Sequence, residues 1–352
     1  MKPEWKAFLL DAGAEMDNDR VSHYGNPERE RSVAVTGDVI CDLSHQGLIR
    51  ARGEEAAAFL QGQFTCDVSE VGPQHSLPGA WCTAKGRMVC TFRLFNRGDA
   101  FYLRLPREQV ETVLKRLSMY VLRAKVTLED AGDAFIPLGL SGPHGETLLK
   151  DALGGDIPTQ ANACTRHDSI TIIRIPGHHP RFELYGDLES MQQLWHALNV
   201  HCAPVGAAQW ALMDILAGIP NLYPATAEAF VPQMTNLQQL GGVSFNKGCY
   251  PGQEVVARMQ YLGKLKRRMY LIHLPVETPP QPGDSLVDPD QPSDQPAGTI
   301  VDAQRHPDGG VAALAVMQIT SAEAGQSRLE RPDGAPAQVV PLPYAFDPAA
   351  TP

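Results

Sequence analysis

Apolar and polar positions along the chain shift repeatedly between a helical and a strand period. The first thirty residues, ending in Pro27-Glu28-Arg29-Glu30-Arg31, are polar and predict an extension. Residues 32–40 are apolar enough for a strand. Residues 53–64 predict a helix, with Glu54 and Glu55 favouring its N-terminus ahead of an Ala-Ala-Ala-Phe-Leu stretch. Residues 88–95 and 100–105 predict a hairpin across Asn96-Arg97-Gly98-Asp99. Val110, Val113, Leu114 and Leu117 repeat at helical spacing within 107–120, and 121–128 then alternates like a strand. Ser141 is expected to cap a helix running to Leu153. Residues 169–175 and 181–185 read as strands. Asp187 is expected to cap a helix over 188–198, and another over 207–216 is closed by Gly218 and Pro220. Strands and helices mix without a strict β-α-β repeat, which predicts an α+β fold rather than a doubly wound sheet.

The chain is 352 residues long, enough for two or three domains. Near Pro275 the composition changes. From there on lie 14 of the 29 prolines, and acids outnumber bases eleven to three. Short antiparallel strands at 298–301 and 311–319 predict a small β domain behind a Pro-rich loop at 289–296. No apolar run approaches the roughly 20 residues that span a bilayer. The N-terminus lacks the long apolar centre of a secretory signal, so a cytoplasmic protein without membrane contact is expected. The seven cysteines, Cys41, Cys66, Cys82, Cys90, Cys164, Cys202 and Cys249, are odd in number and widely spaced. That argues against a disulfide framework, and no zinc-type spacing occurs. No metal site is expected.

Charge is unevenly distributed. Lys247, Arg258, Lys264, Lys266, Arg267 and Arg268 crowd 245–270 against the single acid Glu254, in a chain of net charge −10. Such a protein is no general DNA binder, but the basic stretch suits a small anion or a local phosphate backbone.

The densest chemical signal is Asn246-Lys247-Gly248-Cys249-Tyr250-Pro251-Gly252-Gln253-Glu254. Two glycines bracket a cysteine and an aromatic, which predicts a tight loop with close backbone approach. A helix is expected to resume at Gln253. Cys249 would then precede a helix N-terminus and lie two residues from Lys247, features that lower a thiol's pKa. A small buried hydrophobe is the alternative fate of such a cysteine.

The block Asn236-Leu…Leu240-Gly-Gly-Val-Ser-Phe-Asn-Lys-Gly-Cys-Tyr-Pro-Gly-Gln-Glu closely resembles the signature of the YgfZ family. These are folate-binding relatives of the glycine-cleavage T-protein that support iron–sulfur enzymes and tRNA modification. Arg50-Ala-Arg-Gly…Phe59-Leu-Gln-Gly-Gln-Phe-Thr-Cys-Asp, Gly79-Ala-Trp…Lys85-Gly-Arg-Met, Ala217-Gly-Ile-Pro and Gly298…Ala315-Val-Met-Gln are similar as well. The resemblance spans about residues 30–320. It implies an α+β fold: a three-lobed T-protein-like ring of two interleaved α/β subdomains plus a C-terminal small β-barrel, around a central folate pocket. The expected domains are a polar extension at 1–30, the folate-binding core at 31–270 and the β-barrel with its Pro-rich loop and tail at 271–352.

The resemblance also implies roles. Tetrahydrofolate is the cofactor, and Cys249 is the residue of the chemistry. Glu183, in Arg181-Phe-Glu-Leu-Tyr, would accept the two adjacent N–H groups of a pterin. Lys247 and Arg258 would face the anionic polyglutamyl tail, and Tyr250, Gln253 and Glu254 complete the binding motif. T-proteins carry a catalytic Asp on the strand matching Gly86-Arg-Met-Val-Cys-Thr-Phe-Arg. Here Cys90 and Thr91 stand in its place, and a hydroxyl cannot act as the carboxylate does at neutral pH. Asp67 and Asp214 are the uncommitted carboxylates. Three functions follow as expectations. The first is a folate-dependent accessory to iron–sulfur assembly or repair, with assembly factors or client enzymes as partners. The second is a folate-dependent aminomethyltransferase or demethylase. The third is a weak tRNA contact through Lys264–Arg268.

Overall fold

The structure, a computed structural model, describes residues 1–290 and 295–346. Residues 291–294 of the expected Pro-rich loop and 347–352 of the tail lie outside the described residues. The chain folds into two compact units, and it passes between them several times. The first comprises Met1–Ala56, Glu70–Leu77 and Arg93–Met213; the second comprises Ala57–Ser69, Pro78–Phe92 and the chain from Asp214 onward.

A six-stranded sheet centres the first unit, in the order Cys164–His167, Ile170–Ile175, Arg181–Gly186, Ile136–Ser141, Val39–Asp42, Ala203–Val205. Its neighbours run antiparallel except the last pair, which is parallel. Both faces are covered, so the central strands are buried on both sides. Arg181–Gly186 and Ile136–Ser141 are buried along their whole length. Side chains still alternate between faces. Phe182 and Leu184 join a core with Leu149, Met191 and Trp195 from the helices Gly145–Leu153 and Leu188–Asn199. Ile173 and Tyr185 join a second core with Phe95, Tyr102 and Trp210. Glu183 falls on the Tyr185 side by the same period of two.

The hairpin expected near 88–105 is present as Met88–Arg97 and Ala100–Pro106, which pairs onward to Gln46–Arg52. Its register sets Arg93 opposite Arg104.

Four local expectations are corrected. Residues 32–40 are not one strand: Pro27–Thr36 is a helix and the strand is Val39–Asp42. Asn26 accepts from the Arg29 N–H at 3.0 Å, Pro27 opens the helix, and Glu28 and Glu30 sit in its first turn. These start signals outweigh the β-propensity of Val33 and Val35. Ser141 ends a strand instead of capping a helix, and the helix begins at Gly145. Residues 121–126 turn, with Leu122 at φ +46°, and the strand is Thr127–Asp130. The polar N-terminus holds a helix, Pro3–Asp11, whose Trp5 and Leu9 are fully buried among Trp195 and Leu198.

In the second unit a curled, half-barrel sheet runs Arg328–Leu329, Ser285–Val287, Gly298–Arg305, Val311–Gln318, Arg267–Leu274, Gln338–Val340. All of its neighbouring strands are antiparallel. Ile272, Ile300, Ala313 and Met317 fill its core.

Candidate functional site

In the second unit, Lys247 turns inward from the signature loop. Its Nζ donates to the carbonyls of Gln61 at 2.7 Å, Phe64 at 2.7 Å and Cys66 at 2.8 Å. Gln61 ends the helix Ala56–Gln61, so the ammonium sits where outgoing helix carbonyls favour a cation. Burial pulls the Lys247 pKa below its ordinary value. An ammonium has three N–H donors, and all three are engaged. Lys247, expected to face a polyanionic tail, thus pins its loop to the 61–66 turn.

Tyr250 is the second anchor. It is buried, its ring centroid lies 5.3 Å from Lys247 Nζ, and burial pushes its phenol up. Between the anchors Gly248 and Cys249 are exposed. The other six cysteines are buried, so one thiol alone among the seven is presented to solvent, on a loop fixed at both sides. Gly252 has φ +80°, and a Cβ there would lie 2.5 Å from the Thr83 carbonyl oxygen, so a glycine is required. The helix Gln253–Tyr261 starts at the expected residue, and the Gln253 N–H donates to the Tyr250 carbonyl at 3.1 Å. Glu254 and Arg258 are exposed and paired with one another at 2.8 Å. The loop therefore gathers Lys247, Cys249, Tyr250 and Gln253, and leaves Glu254 and Arg258 as a surface pair.

Thr91 is buried on its strand. Its Oγ1 donates to the Pro220 carbonyl at 3.0 Å and accepts from the Leu222 N–H at 3.1 Å. That two-way bridge needs a group that both donates and accepts; an ionised carboxylate could only accept. Asp67 accepts from Ser69 Oγ at 2.6 Å, Ser69 N at 3.0 Å and Gln61 Nε2 at 2.8 Å. The Ser69 hydroxyl above all holds its carboxyl below the usual range. Asp214 is buried and accepts from Asn221 Nδ2 at 2.9 Å. In the basic stretch, Arg267 Nη2 donates to the Pro296 carbonyl at 2.9 Å and Arg268 lies 4.0 Å from the Phe346 ring centroid. Both guanidiniums serve their own unit, which weakens the reading of this stretch as a phosphate-facing stripe.

In the first unit Glu183 is only 1% exposed. One carboxylate oxygen accepts from Arg104 Nη2 at 2.7 Å and the other from Tyr185 Oη at 2.9 Å. Arg93, buried too, donates from Nη1 to Asn162 Oδ1 at 2.8 Å and Ser76 Oγ at 3.1 Å. Burial pulls the Arg93 guanidinium down, and the Glu183 charge acts against that pull. Sequence reading missed Arg93 and Arg104. Their signal was an arginine set inside each apolar strand of one hairpin, Thr-Phe-Arg-Leu-Phe and Tyr-Leu-Arg-Leu. A surface cleft of about 280 Å³ in this unit, lined by Arg50, Arg107 and Asp130 among others, includes none of the expected site residues. Among the described residues no cluster of three His, Cys, Asp or Glu could hold a metal, and no helix is long and apolar enough to cross a membrane.

Residues 19–213 match the GCVT N-terminal domain family. The tRNA-modifying protein YgfZ of Colwellia psychrerythraea is 36% identical over 247 residues, which cover 70% of this chain and 75% of that protein. The crystal structure of the glycine cleavage system aminomethyltransferase T from Bartonella henselae superposes with a TM-score of 0.78. That likeness has 17% identity and covers 96% of this chain and 95% of that one. The fold is therefore T-protein-like.

Proposed function

Because the chain belongs to the GCVT N-terminal domain family, and within it stands with YgfZ, we propose that it binds tetrahydrofolate and assists iron–sulfur cluster assembly or repair through Cys249. Its support of tRNA modification is then indirect, through modifying enzymes that carry clusters. The observation that carries this reading is the single exposed thiol, held between the Lys247 and Tyr250 anchors. One thiolate cannot hold a cluster, which commonly takes four ligands. Cys249 therefore acts on a cluster or thiol presented by a partner protein.

The residues present suit a reduced pterin. Each Glu183 oxygen has one hydrogen bond, and a carboxylate has about four acceptor positions, so capacity remains for the paired N–H groups of the pterin edge. Bound there, the folate would supply a one-carbon carrier or a redox-active reduced ring. The chain's own part is to position it and to present Cys249. Aminomethyl transfer or demethylation is the weaker alternative, since the Thr91 hydroxyl is occupied in a structural bridge where a catalytic carboxylate would be needed.

The test pairs a binding titration with complementation. Cys249→Ala is expected to bind tetrahydrofolate like the wild type, yet leave cluster-dependent enzymes inactive in cells lacking the protein. Full restoration by that variant removes Cys249 from the mechanism; no binding of tetrahydrofolate by the wild type removes the cofactor.

A further inference from the structure

Near Glu183 a buried donor goes without an acceptor among the described residues. Two guanidiniums, Arg93 and Arg104, are interior, 4% and 5% exposed, and face one another across a hairpin. Glu183 is ion-paired with Arg104 at 2.7 Å. The nearby Tyr185, Ser76, Asn162 and Cys164 carry no charge at neutral pH. Two interior guanidiniums beside one carboxylate are an arrangement that needs compensation from their surroundings. Arg93 also has a donor to spare: its Nε, buried, has no hydrogen-bond partner among the described residues. Buried N–H groups are nearly always paired. The cluster therefore offers a donor beside an acceptor carboxylate, next to the stacked rings of Phe95, Tyr102 and Tyr185.

Resting on the folate reading above, we propose that Arg93 is a specificity-determining residue that donates from Nε to the 4-oxo group of a reduced pterin whose neighbouring N–H edge is accepted by Glu183. Along that edge of a pterin the ring N–H lies between the carbonyl and the exocyclic amine. A donor beside a carboxylate is the complement of that pattern. The buried Nε donor favours an acceptor oxygen, and a 4-amino group there would set donor against donor. Discrimination of this kind is large, because the wrong ligand leaves a buried group unpaired. Glu183 and Arg93 are shut off from solvent, so entry requires neighbouring side chains to move.

The experiment measures dissociation constants by calorimetry for tetrahydrofolate and for its 4-amino-4-deoxy analogue, with wild type and Arg93→Gln. The wild type is expected to bind the analogue at least about tenfold more weakly. Glutamine can accept as well as donate, so Arg93→Gln is expected to bring the ratio below about threefold. Equal binding of both ligands by the wild type overturns the proposal, as does an unchanged ratio in a folded Arg93→Gln. The wild-type ratio alone decides the matter if that variant does not fold. No binding of either ligand by the wild type overturns the folate reading itself, and this inference with it.

Discussion

At position 91 one hydroxyl works in both directions: it donates to Pro220 and accepts from Leu222. Thr91→Val keeps the shape and leaves both backbone groups buried without that partner, each costing about 1–3 kcal/mol. Urea unfolding is expected to register a loss of at least about 1 kcal/mol, and an unchanged midpoint would refute the bridge. Asp42 gives a second residue-scale expectation. Fully buried, it accepts from Trp5 Nε1 at 2.8 Å and from Ser44, and burial outweighs these bonds to raise its carboxyl to about 6. An acid whose folded pKa lies above its unfolded one is bound more tightly by protons in the folded state. Its contribution is complete below about pH 4 and lost as the pH rises through 6, on the order of 3 kcal/mol in all. Comparing unfolding at pH 4.5 and 7, the decline is expected to be smaller in Asp42→Asn than in the wild type; equal declines would contradict the assignment.

At the scale of elements, the signature loop is held by its own lysine rather than by a regular hydrogen-bonded ladder. Charge-assisted hydrogen bonds contribute about 1.5–3 kcal/mol each, so Lys247→Met is expected to lower stability by more than about 3 kcal/mol. A longer, planar guanidinium does not converge on three carbonyls, so Lys247→Arg should not restore it. Alkylation followed by intact mass reads the same loop. The native wild type takes one label, at Cys249, and unfolded protein takes seven. Labelling of buried cysteines in native Lys247→Met would show the 61–66 turn released, since Cys66 is one of its carbonyl partners; a melting temperature and labelling pattern matching the wild type would show that the clamp is dispensable.

Across the whole chain, a segment that looks like a polar leader completes a core. Trp5 stacks on Phe8 at 5.0 Å and meets Trp195 edge-on at 6.0 Å, and its indole N–H reaches Asp42. Truncating a buried tryptophan typically costs about 3–5 kcal/mol. Trp5→Ala, and removal of residues 1–11 still more, should depress the melting temperature by several degrees; a truncated chain that melts with the wild type would make the helix an ornament.

Much of the architecture could be read from residue order, because it rests on local rules. The hairpin at 88–105, the Asp187-capped helix and the helix resuming at Gln253 follow from turn chemistry, capping and periodicity, which act over a few residues. The Cys249 loop was legible for the same reason, its two glycines and proline restricting backbone that only neighbours in sequence need to satisfy. The helix at 27–36 was hidden because its valine-rich second half favours strand, while its start signals at Asn26 and Pro27 lie outside that run. The burial of Trp5 was hidden because two apolar side chains among charges look like surface until a partner helix is brought to them. Tertiary structure alone decided what the charged groups do. Whether Lys247 faces a ligand or three carbonyls, and whether Glu183 meets water or Arg104, depends on residues up to about 190 positions away. A charge takes its meaning from whatever lies within a few ångströms, and only the folded chain sets that neighbourhood.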